Sequence, residues 1–197
     1  MPKLPLSAGY LHFFWAGIAR HLKTGSIFPS QRFLVEKMIK PIPTDYAGRV
    51  VELGSGNGTL TVRLATKCPK AQVVACEIDP VLAEDTRKNL FRAGINGQVR
   101  VRAQPAQDVL RNLVASSEEK PGYIISGLPI GNLRRTAVLE LLQTARTVLS
   151  DHGMFIQVQH FLWDRKYLRM VFGQVRTAPV LLNVLPAFVY YAAKMPR

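Results

Sequence analysis

The residues best equipped for chemistry fall in one stretch. Glu52-Leu53-Gly54-Ser55-Gly56-Asn57-Gly58 follows the short β-branched run 49–53, and Glu77 ends the next run of that kind. Three glycines where a strand passes into a helix let the backbone bend sharply and come close to a ligand that side chains would keep away. An acid ending the following strand, about 20 residues on, is placed to accept hydrogen bonds from both hydroxyls of a ribose. Glu52, just ahead of the loop, is a second acceptor for the polar end of such a ligand. Acid, glycine loop and acid read as one nucleoside-binding constellation. The Gly-x-Gly-x-x-Gly spacing of nicotinamide enzymes is absent, which ranks a dehydrogenase below other nucleoside-cofactor enzymes.

A parallel sheet must hold such a loop, and the pattern around it alternates accordingly. Strands are expected at 49–53, 72–77, 99–103, 123–126, 153–159 and 184–192, with helices at 59–65, 80–93, 106–114 and 136–149. The segment 116–121 reads as a polar loop and 167–172 as part of a basic aromatic stretch. Ahead of the sheet, Leu11, Phe14, Trp15, Ile18 and Leu22 recur at helical spacing, and a second helical pattern runs through Phe33, Leu34, Met38 and Ile39 to a stop at Pro41 and Pro43. The expected fold class is α/β, a mostly parallel sheet with helices on both faces and an N-terminal helical extension. Residues 1–44 form the extension and 45–197 the ligand-binding domain.

A chain of 197 residues suits one such domain. Lys and Arg outnumber Asp and Glu by 26 to 13, a formal charge of +13, so a polyanionic partner is expected, either nucleic acid or an anionic membrane surface. Cys68 and Cys76 lack metal-ligand spacing and read as reduced thiols of a cytoplasmic protein with no metal. The apolar run 180–193 is short and broken by Asn183 and Pro186, so no segment spans a bilayer. The helix at 10–22 can instead lie on one, with Phe14, Trp15 and Ile18 in the headgroup boundary and Arg20 and Lys23 near phosphates, or pack on the core. Interleaved aromatics and bases at 161–169 offer a second contact.

The constellation at Glu52–Gly58 and Glu77 resembles the first motifs of class I S-adenosylmethionine-dependent methyltransferases. That resemblance implies a Rossmann-like fold with a seven-stranded sheet, and S-adenosylmethionine bound by Glu52, Gly54, Ser55, Gly56, Gly58, Glu77 and Ile78. After the third strand such enzymes commonly carry an Asp for the adenine amino group. Here the segment is Ala103-Gln104-Pro105-Ala106-Gln107-Asp108, so Gln104, Pro105 and Ala106 are expected at the adenine, with Gln104, Gln107 or Asp108 as the polar contact. The fourth strand leads into Ser126-Gly127-Leu128-Pro129-Ile130. Amino-methylating relatives often have Asn-Pro-Pro-Tyr or Asn-Leu-Pro-Tyr there, and Gly127 and Ile130 replace both the Asn and the ring, which argues against a flipped base as acceptor.

Ser126–Pro129, the upstream segment Thr24-Gly25-Ser26-Ile27-Phe28-Pro29-Ser30 and Asn183-Val184-Leu185-Pro186 together resemble bacterial phospholipid N-methyltransferases over about residues 10–193. The resemblance implies methylation of phosphatidylethanolamine toward phosphatidylcholine at the inner face of the cytoplasmic membrane, with S-adenosylhomocysteine as by-product. It adds Ser26, Phe28, Pro29, Ser30 and Ser126 to the cofactor site and puts the acceptor at Ser126, Gly127, Leu128 and Pro129. Arg134 and Arg135 are expected on the lipid phosphate, and Tyr190, His160, Tyr167 or the Ser126 hydroxyl as orienting groups. Methyl transfer to an amine is a direct displacement, so alignment and exclusion of water are the main tasks. The amine must first lose its proton, and no dedicated base stands out. The competing readings are a ribosomal-RNA adenine N6-dimethyltransferase and a non-catalytic module for anionic lipid or RNA. The sequence sets no oligomeric state.

Overall fold

The computed structural model describes residues 29–95, 97–160, 162–181 and 186–194. Seven strands form one sheet in the order β3-β2-β1-β4-β5-β7-β6. They are β1 (Arg49–Leu53), β2 (Gln72–Cys76), β3 (Val99–Arg102), β4 (Tyr123–Ser126), β5 (Met154–Gln159), β6 (Val175–Val180) and β7 (Ala187–Ala193). The α-helices are α1 (Pro29–Ile39), α2 (Thr59–Lys67), α3 (Pro80–Arg92), α4 (Ala106–Ala115), α5 (Arg135–Val148) and α6 (Arg165–Phe172). β1 to β5 pair in parallel, and β7 runs antiparallel to both β5 and β6.

Neighbouring residues on each central strand serve opposite faces, as a period of two demands. Val51, Ile124, Phe155 and Tyr190 join α4, α5 and α6 in one core, while Val50, Ile125, Ile156 and Tyr191 join α1 and α2 in the other. α1 contributes Val35, Met38 and Ile39 to that second core, followed by Ile42, and the Tyr191 hydroxyl donates to the Lys37 carbonyl at 2.6 Å. α1, from the extension expected at residues 1–44, thus covers the sheet and shares its core. The helix at 10–22 lies outside the described residues.

β6 is not legible as a strand because Arg176 and Pro179 interrupt its apolar pattern. Its place at the sheet edge explains the proline, since an edge strand can spare a ladder amide. The stretch expected as a basic aromatic segment is a 3-10 turn, Leu162–Asp164, followed by α6, whose Leu168 and Phe172 are buried.

Register matters most for the site. Leu53 stands beside Cys76 on one side and Ser126 on the other, and Cys76 beside Arg102. Four strands thus end level, and their following loops converge at the carboxyl edge between β1 and β4, where the strand order reverses and ligands of open α/β sheets bind.

Candidate active site

A cleft of about 230 Å³ opens at this edge, walled by Gly54, Glu77, Ile78, Gln104, Pro105 and Leu128 among others, with Leu133, Ala137 and Leu141 of α5 and its approach at the far side. The bend after β1 is built by hydrogen bonds across the strand ends: the amides of Gly54 and Ser55 both donate to the Cys76 carbonyl, at 2.9 and 3.0 Å. Gly54 has φ +78°, and a Cβ there would stand 2.9 Å from the Leu128 Cδ2. Only glycine lets the two loops close on each other without filling the cleft.

Glu77 is 3% exposed and held at both oxygens, by the Gly56 amide at 2.9 Å and the Asp79 amide at 3.0 Å. Those contacts fix the carboxylate at the cleft wall and leave lone pairs for a vicinal diol. Asp79 in turn caps α3, accepting from Val81 at 2.8 Å, with Pro80 at the first helical position. Beside Glu77, Ile78 is 54% exposed and faces a wall continued by Pro105, Ala106 and Leu128, an apolar slot for a flat ring. Cys76 also lines the cleft, and burial pushes its thiol up to about 12, so it stays protonated and is no nucleophile.

Several expected site residues point elsewhere. Glu52 is 2% exposed and accepts from the Thr61 hydroxyl at 2.6 Å. Desolvation raises its carboxyl to about 8, with Thr61 opposing the rise and Glu77 adding to it. Ser55 is buried with its hydroxyl 3.5 Å from that of Thr86, which itself donates to the Gly56 carbonyl at 2.8 Å. Gly58 serves packing: at φ +83°, a Cβ would meet Thr86 Cγ2 at 2.8 Å. Ser126 is fully buried, and its hydroxyl accepts the Leu128 amide at 3.3 Å, which shapes the loop after β4. Tyr190 is fully buried in the core beneath α6. His160 faces the Pro186 carbonyl at 3.2 Å, and the Tyr167 ring lies under Lys166.

The acceptor loop itself is bare. Gly127 passes close to the first loop, a Cβ there standing 3.3 Å from the Gly54 carbonyl oxygen, and Ile130 is fully buried. Leu128 and Pro129 remain in the cleft wall. The Leu128 carbonyl receives two side-chain amides from β5, Gln157 at 2.9 Å and Gln159 at 3.0 Å. Sequence reasoning missed this pair, although two glutamines two residues apart in an apolar strand must share a face. Arg134 and Arg135 are exposed where α5 begins. Ser26 and Phe28 lie outside the described residues, while Pro29 and Ser30 open α1.

These residues suit S-adenosylmethionine: a glycine cradle that a Cβ would fill, a buried carboxylate braced for a ribose, and an apolar slot beside it. Glu77 would hold the ribose, and Ile78, Pro105 and Leu128 would flank the adenine near Gln104. Bound there, the cofactor supplies an electrophilic methyl group on a sulfonium.

The fold agrees with solved methyltransferases. The O-methyltransferase of Bacillus cereus, in complex with SAH, superposes with a TM-score of 0.66 at 15% identity, covering 96% of this chain and 92% of that one. The N-methyltransferase NodS of Bradyrhizobium japonicum gives 0.68 at 10% identity, covering 85% and 98%. Fold and cleft define a Rossmann-like S-adenosylmethionine-dependent methyltransferase. Residues 25–180 match the methyltransferase small domain, and the chain belongs to that family.

Among curated relatives, the ornithine lipid N-methyltransferase of Singulisphaera acidiphila is 27% identical over 172 residues, 84% of this chain and 86% of its own. The ribosomal RNA small subunit methyltransferase C of Haemophilus influenzae is 29% identical over 142 residues, 70% of this chain but 40% of its own. The tRNA1(Val) (adenine(37)-N6)-methyltransferase of Pedobacter heparinus is 27% identical over 55% of this chain and 50% of its own.

Proposed function

We propose that this enzyme methylates the amine of a membrane lipid, phosphatidylethanolamine and its mono- and dimethyl forms, toward phosphatidylcholine. The observation that carries the reading is the acceptor loop: with Gly127 bare and Ile130 buried, it offers neither a side-chain acceptor for an exocyclic base amine nor a ring to stack on a base. A small aliphatic amine needs neither. The lipid relative supports the same class of acceptor, and it is matched over most of both chains.

The surface is consistent with work at a membrane. Met170 is 60% exposed and Leu162 48% exposed, and the exposed Lys166 and Arg169 lie between them in sequence on or beside α6. Apolar groups with a basic fringe suit the headgroup boundary of an anionic leaflet, each cation contributing about 1 kcal/mol. Among the described residues no helix is long and apolar enough to cross a membrane. Arg134 and Arg135, beside the acceptor loop, are the groups we assign to the lipid phosphate.

A ribosomal-RNA adenine methyltransferase is the second reading, favoured by the charge of +13. Both are tested by incubating the protein with methyl-labelled S-adenosylmethionine, phosphatidylethanolamine vesicles and ribosomal RNA together. Label in the lipid fraction is expected. Label confined to RNA refutes the proposal.

A further inference from the structure

Pro105 occupies the position after β3 where related methyltransferases commonly carry an acid for the adenine amine. It lines the cleft, and its carbonyl is taken by the Asp108 and Val109 amides at 3.1 and 3.2 Å. Asp108 lies outside the cleft lining and pairs with Arg111 at 3.7 Å. Gln104 lines the cleft, but a side-chain amide both donates and accepts, so it fits an amino or an oxo group alike.

A carboxylate reaches the same wall from another element. Among the described residues two carboxylates line the cleft, Glu77 after β2 and Glu140 on α5. Glu140 and Thr144 stand one turn apart on α5 and meet Gln107 and Arg111, one turn apart on α4. The Arg111 guanidinium donates to Glu140 Oε1 at 2.6 Å, and the Gln107 amide nitrogen donates to the same oxygen at 3.2 Å. That nitrogen also donates to the Thr144 hydroxyl at 3.0 Å, whose own proton goes to the Glu140 carbonyl at 2.8 Å. Gln107 lines the cleft directly after Pro105 and Ala106, so its bond holds the Glu140 carboxylate beside the wall of the adenine slot. A carboxylate has roughly four acceptor positions, and these contacts leave room for a further donor.

We propose that Glu140 reads the exocyclic amine of the adenine, doing from α5 what an acid after β3 does in related enzymes. The assignment rests on the cofactor lying in this cleft. A carboxylate accepts and never donates, so it favours an N–H at that place on the purine and repels an oxo oxygen. Gln107 reinforces the choice. Its nitrogen must face the carboxylate, which leaves its carbonyl oxygen as a further acceptor on the same wall. Arg111 restrains the carboxylate in its orientation.

The test measures base preference rather than turnover. S-adenosylhomocysteine and S-inosylhomocysteine, the latter with an oxo group in place of the amine, are titrated calorimetrically into the full chain as wild type, Glu140→Gln and Glu140→Ala. Wild type is expected to prefer the adenosyl ligand by about 10-fold, a modest ratio because Glu140 is half-exposed. In Glu140→Ala the preference falls to about 2-fold. In Glu140→Gln, whose amide can also donate, S-inosylhomocysteine binds roughly 3- to 5-fold more tightly than it does to wild type. Damage to the fold does not produce a gain, and the ratio of two ligands on one sample is independent of the fraction folded. Both variants keeping the wild-type ratio overturns the assignment, as does a wild type without preference. Loss of the preference in Asp108→Ala, with Glu140→Ala unaffected, moves the role to Asp108 and overturns it too. A wild type that binds neither ligand defeats the placement of the cofactor, and this assignment with it. A wild type that prefers the adenosyl ligand beside variants that match it defeats the role of Glu140 only.

Discussion

Replacing Glu52 with Gln should make the protein more stable at neutral pH, because Gln keeps an acceptor for the Thr61 hydroxyl and removes the carboxyl that burial must hold protonated. Glu52 is buried, and its carboxyl rises from an ordinary 4.5 to about 8 on folding. Between those values the folded chain keeps a proton that the unfolded chain has released, so the folded state binds more protons and stability falls as pH rises. Stability from this group is fully present below pH 4.5 and is lost on passing through about 8. At pH 7 the loss amounts to about 3 kcal/mol, growing to about 4 kcal/mol at pH 8. In a chain of this size that corresponds to roughly 6–12 °C of Tm at pH 7. Gln carries no such proton. Thermal unfolding of wild type and Glu52→Gln at pH 5, 6, 7 and 8 should give a difference in Tm that widens in favour of the variant as pH rises. Every other titrating group is common to both chains and cancels in that difference. Parallel Tm curves across the range would refute the account of Glu52 as a carboxyl kept neutral by burial.

Arg134→Ala and Arg135→Ala together should raise KM for phosphatidylethanolamine by roughly 10- to 100-fold, the worth of charge-assisted contacts to phosphate, while cofactor affinity stays unchanged by calorimetry. Unaltered lipid kinetics would remove the arginines from the headgroup site. Gly58→Ala should cost about 2–3 kcal/mol in urea unfolding, since its left-handed backbone disfavours a side chain and the Cβ meets both the Thr86 side chain and its Cα, the latter at 3.0 Å. Gly94→Ala, also left-handed but with nothing within 4 Å, should cost only about 1 kcal/mol.

The strand, glycine bend and acid of β1 and β2 were legible because each residue type there answers a backbone or hydrogen-bonding demand that leaves few substitutes. Which side of a strand end faces the cleft was not legible. Ser126 and Tyr190 were expected at the acceptor from their place in the chain, but register turns the one into its own loop and the other into the core. Glu52 shows the same limit, since its acceptor role is met nine residues away by Thr61 on α2. β6 escaped because an edge position tolerates Pro179, a fact of tertiary placement that no local pattern carries.

The paired glutamine amides on the Leu128 carbonyl bear on how a methyl acceptor gets in. A peptide tethered twice from the adjoining strand has little freedom to swing, so this rim of the entrance acts as a fixed jamb. If the acceptor is the proposed lipid, motion that admits it is expected from the opposite rim. Swapping those two amides for aliphatic groups should therefore loosen positional control of the methyl acceptor before it loosens the grip on the nucleoside.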